Sequence, residues 1–208
     1  MRQLNEKELE HGRYFRSLLT KSNLSTVVKT VAQDLHTPLS GSKVLLCELL
    51  SSKVVSEIAS NSWEKNMSIH FEKVIGQTVQ AAKSDNDPDL VFPGNRKLEI
   101  KVTSGEAWRG GAFSKRESWY LLVAREPKDH HKALIVLAHI PEDEWVKSMP
   151  SGKDGKLKYY ATNFDKKRLL EYIEEGKAHV ISGAVYEKMK KDGTSYKRKQ
   201  IKVEKHLT

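Results

Sequence analysis

Asp89, Glu99 and Lys101 are the residues whose types and spacing could do chemistry. They lie in "PDLVFPGNRKLEIKV", Pro88 to Val102. Alternation of apolar and polar residues predicts two short strands, Asp89–Phe92 and Lys97–Thr103, joined by a tight Pro-Gly-Asn turn. Leu90 and Phe92 form one apolar set; Leu98, Ile100 and Val102 form another. If both sets face one core, Phe92 opposes Leu98 and Leu90 opposes Ile100. The connection is then odd-numbered, about three residues around Gly94, Asn95 and Arg96. That arrangement gathers Asp89, Glu99 and Lys101 on the opposite face, whereas a two-residue turn would split them.

Two carboxylates on adjacent strands repel each other unless a cation sits between them. An all-oxygen set in a small space suits Mg²⁺, which keeps several waters and binds phosphate. Such an ion polarises a phosphoryl oxygen and acidifies its bound water, and Lys101 can steady the attacking water or the developing charge. These are the parts of a phosphodiester hydrolase. The plain alternative is a solvated strand face. Asp85 and Asp87 compete with Asp89 but lie before the strand, without its fixed direction.

The elements that must position these residues follow from periodicity. Segments 6–19, 24–35, 43–59 and 67–82 repeat apolar residues at three- and four-residue intervals and are predicted helices, with Asn61–Asn66 separating the last two. From residue 89 the period is two, and further strands are predicted at 119–125 and 133–140. A short helix at Pro141–Met149 follows, then a strand at 156–161, a helix from Asn163 to about Glu175 stopped by Gly176, and a terminal hairpin, 179–190 and 194–204, turning at Asp192-Gly193. The fold class is α+β, a mixed sheet flanked by helices. The chain reads as one domain, 1–208: a helical N-terminal part (1–66) offering a dimerisation surface, a core (67–182) and a basic C-terminal hairpin (183–208).

Pro88-Asp89 followed by Glu99-Ile100-Lys101 on the next strand resembles the PD-(D/E)xK nucleases, the superfamily of most type II restriction endonucleases and of some repair and junction-resolving enzymes. The resemblance covers roughly residues 68–140. It implies a restriction-endonuclease-like fold and Mg²⁺ held by Asp89 and Glu99 with the Ile100 backbone carbonyl. Lys101 would orient the water, and hydrolysis would leave 5′-phosphates. An acidic residue from the preceding helix is also implied; Glu72, beside Phe71 at the edge of the stripe Met67, Phe71, Val74 and Thr78, fits that role. The function expected is a type II restriction endonuclease acting on double-stranded DNA as a homodimer. The alternatives are a repair or resolving nuclease of the same superfamily, and a DNA-binding protein without activity.

Composition agrees with a polyanionic partner. The chain of 208 residues has 36 Lys and Arg against 27 Asp and Glu, a net charge of +9. The segment Gly105–Ser118 joins two strands that meet at the proposed metal site. Arg109, Lys115 and Arg116 there can reach phosphates or guanine edges, and Trp108 and Phe113 can stack or, more simply, anchor the loop. Residues 187–205 carry eight Lys and Arg, Lys197, Arg198 and Lys199 among them, against three acids, which suits a DNA backbone or a lysine-protected sheet edge equally.

Other features are unremarkable chemically. Gly110-Gly111 lack the lysine spacing of a nucleotide-binding loop. His130-His131 read as a surface turn, Ser114 lacks an evident His/Asp partner, and the single Cys47 reads as a core thiol. No apolar run reaches the roughly 20 residues of a membrane span, and the charged N-terminus is unlike a signal peptide. A prokaryotic cytoplasmic protein with no membrane partner and no nucleotide cofactor is expected.

Overall fold

Local capping chemistry starts the helices where side-chain oxygens meet free backbone amides. The structure, a computed structural model, describes residues 4–37, 45, 48, 50–84, 87–105, 107–110, 117–126, 129–148, 161–183, 185–191 and 195–201; for 52–53, 110, 126, 129–132, 146–148, 161–162, 185–191 and 195–201 it describes the backbone alone. Helix α1 (Glu6–Leu18) opens with a capping box in which Asn5 and Glu8 satisfy each other's amides. Helix α2 (Lys21–Leu35) opens on Thr20, whose hydroxyl accepts from the Asn23 amide. Helix α3 (Ser52–Ile75) opens on Ser51 and ends at Gly76, which takes the left-handed conformation at φ 66°.

Helix α3 is continuous for 24 residues, so the break predicted at Asn61–Asn66 is absent and the helix runs across 66/67. The polar residues that suggested a turn instead serve α2. Ser62 Oγ donates to Asp34 Oδ2 at 2.5 Å, and Asn66 Nδ2 donates to the same oxygen at 3.1 Å. Of the helix predicted at 43–59, Glu48 is helical and residues 52–59 belong to α3, and the helix predicted at 67–82 stops at Ile75, leaving the short strand β1 (Gln80–Ala81).

The strands are β2 (Leu90–Phe92), β3 (Arg96–Thr103), β4 (Ala107–Gly110), β5 (Ser118–Glu126), β6 (Asp129–Ile140), β7 (Val146–Ser148), β8 (Ala161–Asp165), β9 (Ala178–Ser182), β10 (Val185–Lys191) and β11 (Ser195–Ile201). Helix α4 (Lys166–Glu174) lies between β8 and β9. A six-stranded sheet has the order β1-β2-β3-β5-β6-β9, a smaller sheet the order β4-β8-β7, and among the described residues β10 and β11 form a two-stranded sheet. The β3–β5 pairing is parallel and the others in the large sheet are antiparallel, so the sheet is mixed.

Several predicted elements shift. The stretch expected as a helix after Ile140 is a short 3-10 turn, Glu142–Glu144, followed by β7, because Trp145 is buried in the second core. Asn163 and Phe164 belong to β8, and the helix begins three residues later with Asp165 as its cap. Strand β6 begins at Asp129, so His130 and His131 lie in a strand instead of a turn. The hairpin begins at Val185, and residues 178–182 join the large sheet as β9. Lys156 to Tyr160, Cys47 and the Asp192-Gly193 turn lie outside the described residues.

Each face of the large sheet has its own core. Leu98, Ile100, Trp119, Leu121 and Val123 pack against α1, α2 and α3. On the other face, Tyr120, Leu122 and Ala124 pack with Trp108, Trp145, Phe164 and Leu169 of the smaller sheet and α4. Strand β5 thus alternates between the two cores residue by residue. Among the described residues, no helix is long and apolar enough to cross a membrane.

The docking of α1 is unusually close. A Cβ at Gly12 would lie 2.4 Å from Trp119 Cζ2, while Trp119 Nε1 donates to the Glu8 carbonyl at 3.1 Å. Gly12→Ala should gain about 1 kcal/mol of helix propensity but lose about 1–3 kcal/mol to overpacking. A net fall of about 2–6 °C in the thermal midpoint is expected by circular dichroism; an unchanged or higher midpoint would show that α1 does not rest on Trp119.

Candidate active site

The hairpin that bears the three charges pairs Leu90 with Leu98, Val91 with Lys97 and Phe92 with Arg96. This differs by two residues from the predicted register. The turn is Pro93-Gly94-Asn95, with Gly94 at φ 77° and Asn95 at φ 57°, residues that tolerate positive φ. Arg96 belongs to the strand because its guanidinium is held there: it donates to the Pro93 carbonyl, pairs with Glu10 at 2.7 Å and lies 4.4 Å over the Tyr14 ring. A two-residue shift preserves parity. Leu90, Phe92, Leu98 and Ile100 accordingly share the helical core, with Glu99 and Lys101 on the opposite face of β3.

Strand β2 starts at Leu90, so β3 runs beyond its partner. The Ile100 amide, lacking a strand to bond, donates to Asp89 Oδ2 at 2.5 Å. Lys101 Nζ lies 3.2 Å from Asp89 Oδ2 and 3.4 Å from Glu99 Oε2. The side chains are largely withdrawn from water, with 16% exposure for Asp89 and Lys101 and 6% for Glu99. Their mutual attraction is therefore screened far less than that of a surface pair.

Helix α3 carries two acidic residues on this side of the sheet, the predicted Glu72 and Glu64. Glu72 Oε1 accepts the Val79 amide at 3.1 Å, and Ser68 Oγ donates to the Val79 carbonyl at 2.7 Å; together they turn the chain back from α3. Glu64 lies eight residues earlier, about 12 Å along the axis. Burial is the first cause that pushes its carboxyl up to about 7, and the Asp89 charge adds to it; Glu99 acts in the same sense, while Lys101 opposes them. Asn61, Glu64, Lys65, Ser68, Ile69 and Ala81 line an adjoining cavity of about 270 Å³. The geometry thus joins Asp89, Glu99 and Lys101, and Glu64 is near enough for their charges to act on its carboxyl. Continuity of α3 through 61–66 is the signal that would have revealed Glu64.

Of the remaining predicted contacts, Arg109 is exposed on β4. Trp108 is fully buried and its indole donates to the Val123 carbonyl at 3.0 Å, so it anchors β4 and is closed to stacking with a base. Phe113, Lys115 and Arg116 lie outside the described residues, as do the side chains of Lys197, Arg198 and Lys199 on β11. A second group of ligand-type atoms, from Glu8, Glu117 and His139, lies within 4.8 Å. Glu8 is already engaged in the capping box of α1, and a helix N-terminus favours anions over cations. This group lies where α1 comes beside the start of β5 and the end of β6.

No protein-family model matches this chain, and no curated protein matches its sequence.

The crowded charge makes a prediction. Glu64 moves from 4.5 up to about 7, so the folded protein holds this proton more tightly than the unfolded chain does. Stability should therefore fall as pH rises from 4.5 through about 7. In EDTA, Glu64→Gln should be more stable than wild type at pH 8 by roughly 1–2 kcal/mol, the linkage value being discounted for partial exposure. The gap should close toward pH 4.5, as read by denaturant unfolding; equal stability at every pH would place Glu64 away from the other carboxylates.

Proposed function

We propose that the chain is a metal-dependent nuclease of the PD-(D/E)xK kind. The observation that supports this reading is the meeting of Asp89, Glu99 and Lys101 where β2 and β3 part, with Glu64 close enough to be affected by their charges. Asp89 and Glu99 share the one Lys101 ammonium, and burial first, then the Asp89 charge, pushes the Glu64 carboxyl up. The donors are all oxygen. That set fits Mg²⁺. The mixed sheet between a helical layer and a smaller sheet is compatible with the restriction-endonuclease-like fold of that superfamily.

Within that class, the particular function is type II restriction: cleavage of both strands of DNA at a short sequence, leaving 5′-phosphates. Asp89 and Glu99 would hold the ion together with the Ile100 carbonyl. A strand residue directs its N–H and C=O to the same side, and the Ile100 amide already points at Asp89. In this reading Glu64 takes the role first expected of Glu72, whose Oε1 accepts the Val79 amide. Bound Mg²⁺ would polarise the scissile phosphate and acidify a water. Lys101, drawn in by two carboxylates, presents its ammonium where the nucleophile and the developing charge must be held. Val54, Ile69 and Val74 are exposed apolar side chains on α3, and this helical layer is the surface assigned to a homodimer, whose twofold axis would match a palindrome.

Incubation of the purified protein with unmethylated phage DNA tests the reading. Discrete fragments should appear with Mg²⁺ and be lost in EDTA. Asp89→Ala, Glu99→Ala and Lys101→Ala should each cut at least roughly 10²-fold more slowly, while Glu72→Gln should retain most activity. Nicking directed by junctions or damage would move the assignment to repair or resolution. Absence of cleavage, with DNA binding unchanged in the variants, would reduce the cluster to a structural ion pair.

A further inference from the structure

We propose that the outward face of β4 and β8 reads base edges, with Arg109 and Asn163 as the specificity-determining pair; this rests on the nuclease reading of the neighbouring cluster. The catalytic row of β3 continues into this face. Glu99, Lys101 and Thr103 alternate onto one side of β3, the side on which the smaller sheet packs. Thr103 Oγ1 donates to the Ala107 carbonyl at 2.8 Å and accepts the Gly105 amide at 3.0 Å, so β4 begins beside the end of that row.

Two buried aromatic residues then set which way β4 and β8 point. Trp108 pairs with Phe164 across the strands, and both lie in the second core at 0% and 1% exposure. Their neighbours must face outward. Arg109 pairs with Asn163 in the same register. Among the described residues, neither side chain has a hydrogen-bond or ion-pair partner. Asp165 shares the face, but its Oδ1 accepts the Arg168 amide at 2.7 Å as the cap of α4.

The chemistry suits base reading. A guanidinium donates two parallel hydrogen bonds to N7 and O6 of guanine, and a carboxamide gives and takes one each with adenine. Paired side chains across antiparallel strands stand about 5 Å apart, close to the roughly 3.4 Å step between base pairs, so the two can address neighbouring pairs. Two strand residues from Lys101 to Thr103, the hydroxyl bridge, and two more to Arg109 amount to at most about 20 Å, or some six base pairs from the scissile bond. The recognised sequence accordingly contains a G·C pair next to an A·T pair.

The test uses a duplex pool with eight randomised base pairs, cut by the full chain with Mg²⁺ and sequenced at the released ends, alongside recovery of the same pool by binding in EDTA. Wild type should select a consensus with adjacent G·C and A·T pairs. Arg109→Ala should relax selectivity at the G·C pair at least tenfold, and Asn163→Ala should relax the neighbouring A·T pair. Arg109→Lys, which keeps charge but loses the fork, should relax it as well; all variants are checked for wild-type melting. The proposal is overturned if Arg109→Ala slows every sequence equally and Arg109→Lys restores the rate, as a phosphate contact would, or if neither variant alters preference. Cleavage without any sequence preference would overturn it while sparing the nuclease reading. A consensus enriched by binding but never cut would do the reverse.

Discussion

The amide of Ile100 has no strand to pair with, and the carboxylate of Asp89 takes the missing partner's place at 2.5 Å. A buried amide left unsatisfied costs about 1–3 kcal/mol, so this bond fixes Asp89 by the same necessity that fixes a sheet. With Asp89 placed, Lys101 must settle between it and Glu99, since two withdrawn carboxylates without a cation would be worse than either alone. The cluster therefore grows out of the early end of β2. Extending β2 backward by two residues would pair the amide with main chain and dissolve the arrangement.

The helical layer meets the same constraint from the other side. Helix α3 buries Trp63, Met67 and Phe71 against the sheet, which leaves Glu64, next to Trp63, at the flank of the buried stripe. Glu64 lines a cavity with Ala81 of β1, within reach of the charges of Asp89 and Glu99. The continuity of α3 depends on Asp34 of α2, whose carboxylate receives Ser62 and Asn66. Residues that would end an isolated helix are thereby employed in joining two helices.

Legibility in the sequence varied with the range of the interaction. The face shared by Glu99 and Lys101 was readable because strand parity is local and survives a two-residue change of register. The register itself was not, because Arg96 is drawn into β3 by Glu10 and Tyr14 of a distant helix. Glu64 was missed for a related reason: Asn61, Ser62 and Asn66 carry turn propensity, and tertiary hydrogen bonds override it. Strand β4 escaped notice since four residues near several glycines have no period to detect. Its one clue was Trp108, whose size favours burial and whose burial turns Arg109 outward. The roles assigned to Lys115, Arg116 and the basic hairpin depend on side chains beyond the described residues.

Strand β5 is a party wall. Leu121 and Val123 line the helical room, and Tyr120 and Leu122 line the other. A one-residue slip would empty both rooms at once, so the two cores constrain a single register and should melt together. Strand β3 leans on that wall through its parallel pairing, Glu99 beside Tyr120 and Lys101 beside Leu122. A cavity opened far away, beneath α4, would therefore loosen the charged cluster without touching it. Tolerance to substitution in this protein should follow distance from β5 more closely than distance from the carboxylates.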